Sequence, residues 1–195
     1  MRIRVTYPFM VLTAALIALD SEGFLLLGWS AVILHELGHM AAIRLLGMEC
    51  RGLRLGLGGL RIDYGGGQTT YGQDAFMALG GPAAGALCAL ALALVARRWP
   101  WEWVYVLIGC HGVLCLFNLL PAMPMDGGRV LLAALSGPLG AMGAARVARI
   151  STGVVGICLT CAGLWALFES GGRSFVPALT GGAVLLGCLR GGADG

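Results

Sequence analysis

Long runs without a charge, broken by short polar segments, dominate the hydrophobic pattern of this chain. A bilayer core about 30 Å thick takes about 20 apolar helical residues to cross. Six runs meet or approach that length: residues 6–19, 23–46, 75–96, 101–120, 147–168 and 175–189. The first and last are short. The pattern predicts an all-α membrane protein of six transmembrane helices, folded as a single membrane-embedded domain over residues 1–195. Two polar breaks carry more than the rest. Residues 53–64 alternate in part around Gly58-Gly59, which predicts a small β-hairpin or strand insert between spans two and three. Residues 121–138, rich in Gly and Pro, predict a loop with a short amphipathic helix.

Composition excludes a soluble domain. The chain is 58% apolar and 12% charged, against an ordinary charged share of about 25%. Its mean hydropathy of +0.84 is that of a polytopic membrane protein. The net charge of +3 is small and no basic cluster suggests nucleic acid. All basic residues are arginine. With the N-terminus in the cytoplasm, Arg2, Arg4, Arg44, Arg51, Arg54, Arg61, Arg129, Arg146, Arg149 and Arg190 fall inside, and only Arg97, Arg98 and Arg173 outside. Positive charge collects on the cytoplasmic side, so both termini are expected there and Arg97-Arg98 is the one unfavourable pair. The opening Met1-Arg2-Ile3-Arg4 and its apolar run read as a retained first span, because Leu19-Asp20-Ser21-Glu22 offers no small-residue cleavage site. Cys50, Cys88, Cys110, Cys115, Cys158, Cys161 and Cys188 make an odd count, mostly in apolar stretches, and read as small hydrophobes. The same holds for Cys158 and Cys161, despite their C-x-x-C spacing.

One polar cluster interrupts the second run: His35-Glu36-Leu37-Gly38-His39. Two histidines four apart share a helix face and can grip one zinc ion, with the glutamate between them as general base. Ionisable groups at bilayer depth are costly and mark function. A third protein ligand is then needed, with one position open for water. Carboxylates are scarce, and Asp126 is the best candidate, at the inner end of span four beyond Pro121 and Pro124. Prolines and glycines there break the helix, and irregular backbone at membrane depth is tolerated where it lines a cavity.

H-E-L-G-H in a span, followed by Asn118-Leu119-Leu120-Pro121-Ala122-Met123-Pro124-Met125-Asp126-Gly127-Gly128, resembles the site-2 protease family of intramembrane zinc metalloproteases. More narrowly, it is similar to the bacterial stage IV sporulation membrane proteases. Tyr7-Pro8-Phe9, Gly58-Gly59 and the small-residue stretch Ala78-Leu79-Gly80-Gly81-Pro82-Ala83-Ala84-Gly85 fit as well. The resemblance implies one zinc ion held by His35, His39 and Asp126, Glu36 as the catalytic base, and Asn118 in support on substrate backbone or oxyanion. It implies a membrane-tethered protein substrate cut near the cytoplasmic face, the bilayer as environment, and room for an inhibitory membrane partner. Within the narrower likeness, that substrate is a sigma-factor precursor in sporulation. Two departures stand out. No nucleotide-sensing CBS domain or PDZ domain is expected within residues 1–195. His111, seven residues before Asn118 and so on nearly the same helix face, stands where relatives often carry asparagine.

Plainer readings compete. Asp126 before two glycines suits a turn, Asn118 a helix-end hydrogen bond, His111 a satisfied histidine between helices, and Gly80-Gly81-Pro82 simple helix packing. Trp99, Trp101 and Trp103 read as an interfacial belt. The competing function is a catalytically silent zinc-binding interaction module. Glu36 argues against it, because a binder needs no base.

Overall fold

The computed structural model describes residues 2–5, 20, 23–56, 59–65, 69–170 and 176–190. The expected first span, residues 6–19, lies outside them. The chain divides into two compact units, residues 1–116 and 117–195.

The first unit opens on strand β1 (Arg2–Val5), followed by helix α1 (Phe24–Leu45). At 22 residues, α1 rises about 33 Å, enough to cross a bilayer core of about 30 Å. Both its ends are built locally. Asp20 accepts a hydrogen bond from the Leu25 amide (2.7 Å), placing a carboxylate where the helix dipole favours one. At the other end Gly47 takes a left-handed φ of 73°. There the Met48 amide bonds Ile43 and the Gly47 amide bonds Arg44, a Schellman ending.

Strands β2 (Glu49–Gly56) and β3 (Gly59–Gly65) follow as an antiparallel pair, with a bulge between Cys50 and Gly52. β1 adds to β2 in parallel, so the sheet order is β1-β2-β3. Helix α2 (Tyr71–Ala96) starts at a capping box, in which Thr70 and Gln73 exchange side-chain and backbone bonds. Helix α3 (Glu102–Asn118) begins in this unit and ends at the start of the next.

The second unit carries the turn 119–125, helix α4 (Asp126–Glu169) and helix α5 (Val176–Arg190). The Gly- and Pro-rich segment, expected as a loop with a short helix, holds the turn and then helix from Asp126. The interruption comes at Gly140, whose φ of 70° and ψ of 166° no helix accommodates. Ala122, Met125 and Val184 form a small core with Phe117, Leu120 and Val155 against it. Gly156 and Gly181 let α4 and α5 close on each other: a Cβ on Gly156 would meet Leu185 at 2.9 Å, and one on Gly181 would meet Thr160 at 2.6 Å.

Both units are inside-out relative to a water-soluble protein. Buried positions are mostly Ala, Gly, His, Ser and Thr, with a few larger residues such as Met77 and Val104, while Leu87 (68% exposed), Leu116 (71%) and Phe168 (87%) face outward. That is the surface a lipid solvent requires. Among the described residues, three helices are long and apolar enough to cross a membrane: α1, α2 and α4. Helices α3 and α5 are shorter, at 17 and 15 residues.

Candidate metal centre

His35 and His39 sit one turn apart on α1, and both are buried. Their Nε2 atoms approach to 3.2 Å, with the rings edge-on at 80°. Two imidazoles converging through their Nε2 atoms make half of a metal site. The His39 ring is oriented from behind. Its Nδ1 lies 2.8 Å from the Met77 carbonyl oxygen and 3.3 Å from the Gly81 amide nitrogen. These two neighbours ask for opposite tautomers. The carbonyl contact is shorter and a carbonyl only accepts, so Nδ1–H donates to Met77. Gly81's amide already has Met77 as its acceptor four residues back in α2. The proton on Nδ1 leaves the Nε2 lone pair bare, the arrangement by which a second contact fixes a metal-ligating histidine.

Glycines set how closely α1 and α2 approach. A Cβ on Gly38 would meet the Ala84 side chain at 2.6 Å, and one on Gly80 would meet the Gly38 carbonyl at 2.6 Å and Ala42 at 2.8 Å. This small-residue seam brings α2 against the histidine face. Gly81 does more. A Cβ there would fall on the Nε2 atoms of both His39 and His35, 2.6 Å from the latter. The missing side chain leaves open the point on which both lone pairs converge. The packing reading of this glycine stretch accounts for Gly80 but not for Gly81.

Asp126 is the first residue of α4 and is buried. The helix dipole favours negative charge at that position, and the Arg129 guanidinium lies 3.7 Å from its carboxylate. The turn before it is held tightly. Cβ atoms on Gly127 and Gly128 would strike the backbone of Leu120 (2.5 Å) and Ala122 (2.5 Å) respectively. Only glycines let the helix start lie flat on the turn. Thr152, a full helix away in sequence, accepts a hydrogen bond from the Met123 amide (2.9 Å) and donates to Ala148 (2.7 Å). Its neighbour Ser151 donates to the Pro121 carbonyl (2.5 Å). The sequence motifs gave no sign of either residue, because nothing local ties residue 123 to residue 152.

The donor atoms of His35, His39 and Asp126 all lie within 4.8 Å of one another, and all three residues are buried. Two imidazole nitrogens and one carboxylate oxygen are a donor set that suits zinc and leaves a fourth position open. Glu36 and Asn118 are both partly buried. His111 lies on the buried stripe of α3 with Val104 and Cys115; its Nδ1 is buried and has no hydrogen-bond partner among the described residues. It is not one of the clustered donors. The Cys115 thiol points at the Pro82 carbonyl (3.4 Å). All seven cysteines are unbridged, Cys158 and Cys161 exposed on α4, in keeping with their reading as hydrophobes.

No family model matches the chain. Individual relatives do. Rip3 of Mycobacterium tuberculosis, named as a zinc metalloprotease, is 34% identical over 156 residues, 73% of this chain and 38% of that protein. A Synechocystis protein, also named as a zinc metalloprotease, is 34% identical over 111 residues, 54% of this chain and 29% of that one. The zinc metalloprotease MJ0392 of Methanocaldococcus jannaschii is 29% identical over 124 residues, 60% of this chain and 36% of that one. The chain thus spans roughly a third of the length of these relatives. The solved site-2 protease from Methanocaldococcus jannaschii has the same fold, with a TM-score of 0.71 at 22% identity, covering 96% of this chain and 89% of that one. With the site-2 protease fold, zinc-metalloprotease relatives and a His-His-Asp donor set between apolar helices, the chain is an integral membrane protein that binds zinc.

Proposed function

We propose that the chain is an intramembrane zinc metalloendopeptidase that cuts a membrane-tethered protein near the cytoplasmic face. One observation carries the reading: two buried imidazoles of an H-E-x-x-H helix converge through Nε2 atoms 3.2 Å apart, on a point that Gly81 keeps clear. His35, His39 and Asp126 are the residues that hold zinc. When bound, zinc supplies Lewis acidity and brings the pKa of a water towards about 7.

The protein's own groups divide the remaining work. Met77, through its carbonyl, keeps the His39 tautomer fit to donate a lone pair. Glu36, adjacent to His35, takes the proton of the attacking water and passes it to the leaving amine. Asn118 holds the substrate backbone or the developing oxyanion. The substrate must arrive unwound, because a helix hides its carbonyls in its own hydrogen bonds. Strand β3 pairs with β2 and, among the described residues, with no other strand. Its open edge suits capture of an extended segment by strand addition. Six spans with both termini in the cytoplasm complete the reading. The sigma-factor precursor as substrate rests on the sequence resemblance alone.

Glu36→Gln tests the assignment. General acid–base catalysis contributes about 10²–10⁴-fold, so cleavage of a co-expressed membrane-tethered reporter drops by that factor while zinc content stays unchanged. Biological activity undiminished in Glu36→Gln would make the chain a silent zinc-binding module instead.

A further inference from the structure

The turn joining α2 to α3 carries a ladder of stacked indoles that the hydrolytic reading does not use. The Trp99 and Trp101 rings stand 6.2 Å apart, those of Trp101 and Trp103 stand 5.6 Å apart, and each pair is 19° from parallel. All three are about half exposed. Residues two apart share a side only where the chain is not helical. Pro100 enforces this: Trp101 lies outside the helix, and its amide bonds the Trp99 carbonyl across the proline at 2.9 Å. The ladder is therefore fixed by the backbone. At its end the Arg98 guanidinium lies 5.7 Å from the centre of the Trp99 ring.

Two further observations point to what this ladder meets. Leu87, Leu90 and Leu94 are 68%, 60% and 58% exposed, and their spacing puts them on one face of α2. Arg98, four residues beyond Leu94, extends that stripe, so the ladder stands at the rim of a lipid-facing surface. Both Arg97 and Arg98 are exposed, and no carboxylate among the described residues pairs with either. The Arg98 guanidinium lies over the Trp99 ring, and no carboxylate among the described residues occupies its N–H donors. That planar fork matches phosphate oxygens.

We propose that Arg97, Arg98 and the Trp99–Trp101–Trp103 ladder form a binding site for the headgroup of an anionic membrane lipid. The guanidiniums take the phosphodiester, and the indoles pack at the boundary between headgroup and acyl chains. This accounts for the arginine pair that charge asymmetry alone leaves unfavourable. The pair is kept for a lipid ligand, not for orientation.

The test uses the full chain in vesicles of equal parts phosphatidylcholine and phosphatidylglycerol, with bromine high on the acyl chains of one lipid or the other. Bromine quenches tryptophan on contact, so comparing the two preparations reports which lipid surrounds the ladder; Trp29 and Trp165 add a background shared by every variant. At low salt, brominated phosphatidylglycerol quenches about twofold more than brominated phosphatidylcholine. High salt removes the difference, and so does the double variant Arg97→Gln with Arg98→Gln. Equal quenching by the two lipids in the unaltered chain overturns the proposal. A preference that survives the double substitution or high salt overturns it too, and leaves a neutral interfacial belt or a protein partner. If the double variant does not reconstitute, the salt series on the unaltered chain decides.

Discussion

The histidine pair and the aspartate are positioned by opposite means. His35 and His39 ride on a regular helix, and their placement follows from period and packing. Residues four apart share a face, and Gly38 and Gly80 let the neighbouring helix close in. Asp126 heads a helix after an irregular turn, held by a hydrogen bond that Thr152 accepts from Met123, by one that Ser151 donates to Pro121, and by two glycines under its backbone. The first arrangement is repetitive and is set by helix period and close packing. The second depends on individual polar contacts, each satisfying a backbone group that lipid could not. A metal centre built this way has a rigid half fixed by shape and a tethered half fixed by hydrogen bonding.

Substituting the glycine at the rigid half gives the largest expected effect. Gly81→Ala puts a methyl group on the point where the two Nε2 lone pairs converge. Zinc affinity falls by about 10–100-fold, the loss typical when a ligand's supporting geometry is disturbed. Alanine is the better helix former by about 1 kcal/mol, but the methyl must displace both buried rings, so thermal stability in detergent holds or falls. Chelator competition and a melting curve on the same sample read both. Zinc binding unchanged in Gly81→Ala would mean that the histidines do not converge on a metal at that point.

A smaller effect is expected at the tethered half. Thr152→Val keeps the shape but removes the acceptor of the Met123 amide. Leaving that donor unsatisfied costs about 1–3 kcal/mol. The melting temperature drops, cleavage falls several-fold, and Thr152→Ser, which retains the hydroxyl, restores both. A loss in Thr152→Ser equal to that in Thr152→Val would place the effect in packing and remove the distinction between the two halves.

The same division governs what the sequence disclosed. The helix holding the H-E-x-x-H was legible to within a residue at each end, because an uninterrupted apolar run and an i, i+4 pair are local signals. The convergence of His35 and His39 was legible for the same reason. Gly81 was visible only as a member of a small-residue stretch; which of its glycines faces the histidines depends on the rotation of α2. Thr152 and Ser151 were invisible, since a hydrogen bond across some thirty positions leaves no pattern. Strand β1 escaped for a related reason. Arg2–Val5 pairs in parallel with β2 across a long separation, while its charges made it look like the flank of a span. A short helix within residues 121–138 was legible, but its start at Asp126 was blurred by the Gly and Pro around it, residues that ordinarily signal a loop.

X-ray absorption at the zinc edge of the purified chain tests the central claim most directly. The account predicts one zinc per chain, two imidazole nitrogens at about 2.0–2.1 Å, light oxygen donors for the rest and no sulfur, with an imidazole lost in His35→Ala and in His39→Ala. A spectrum with sulfur in the coordination shell, or one unchanged by both substitutions, would contradict it.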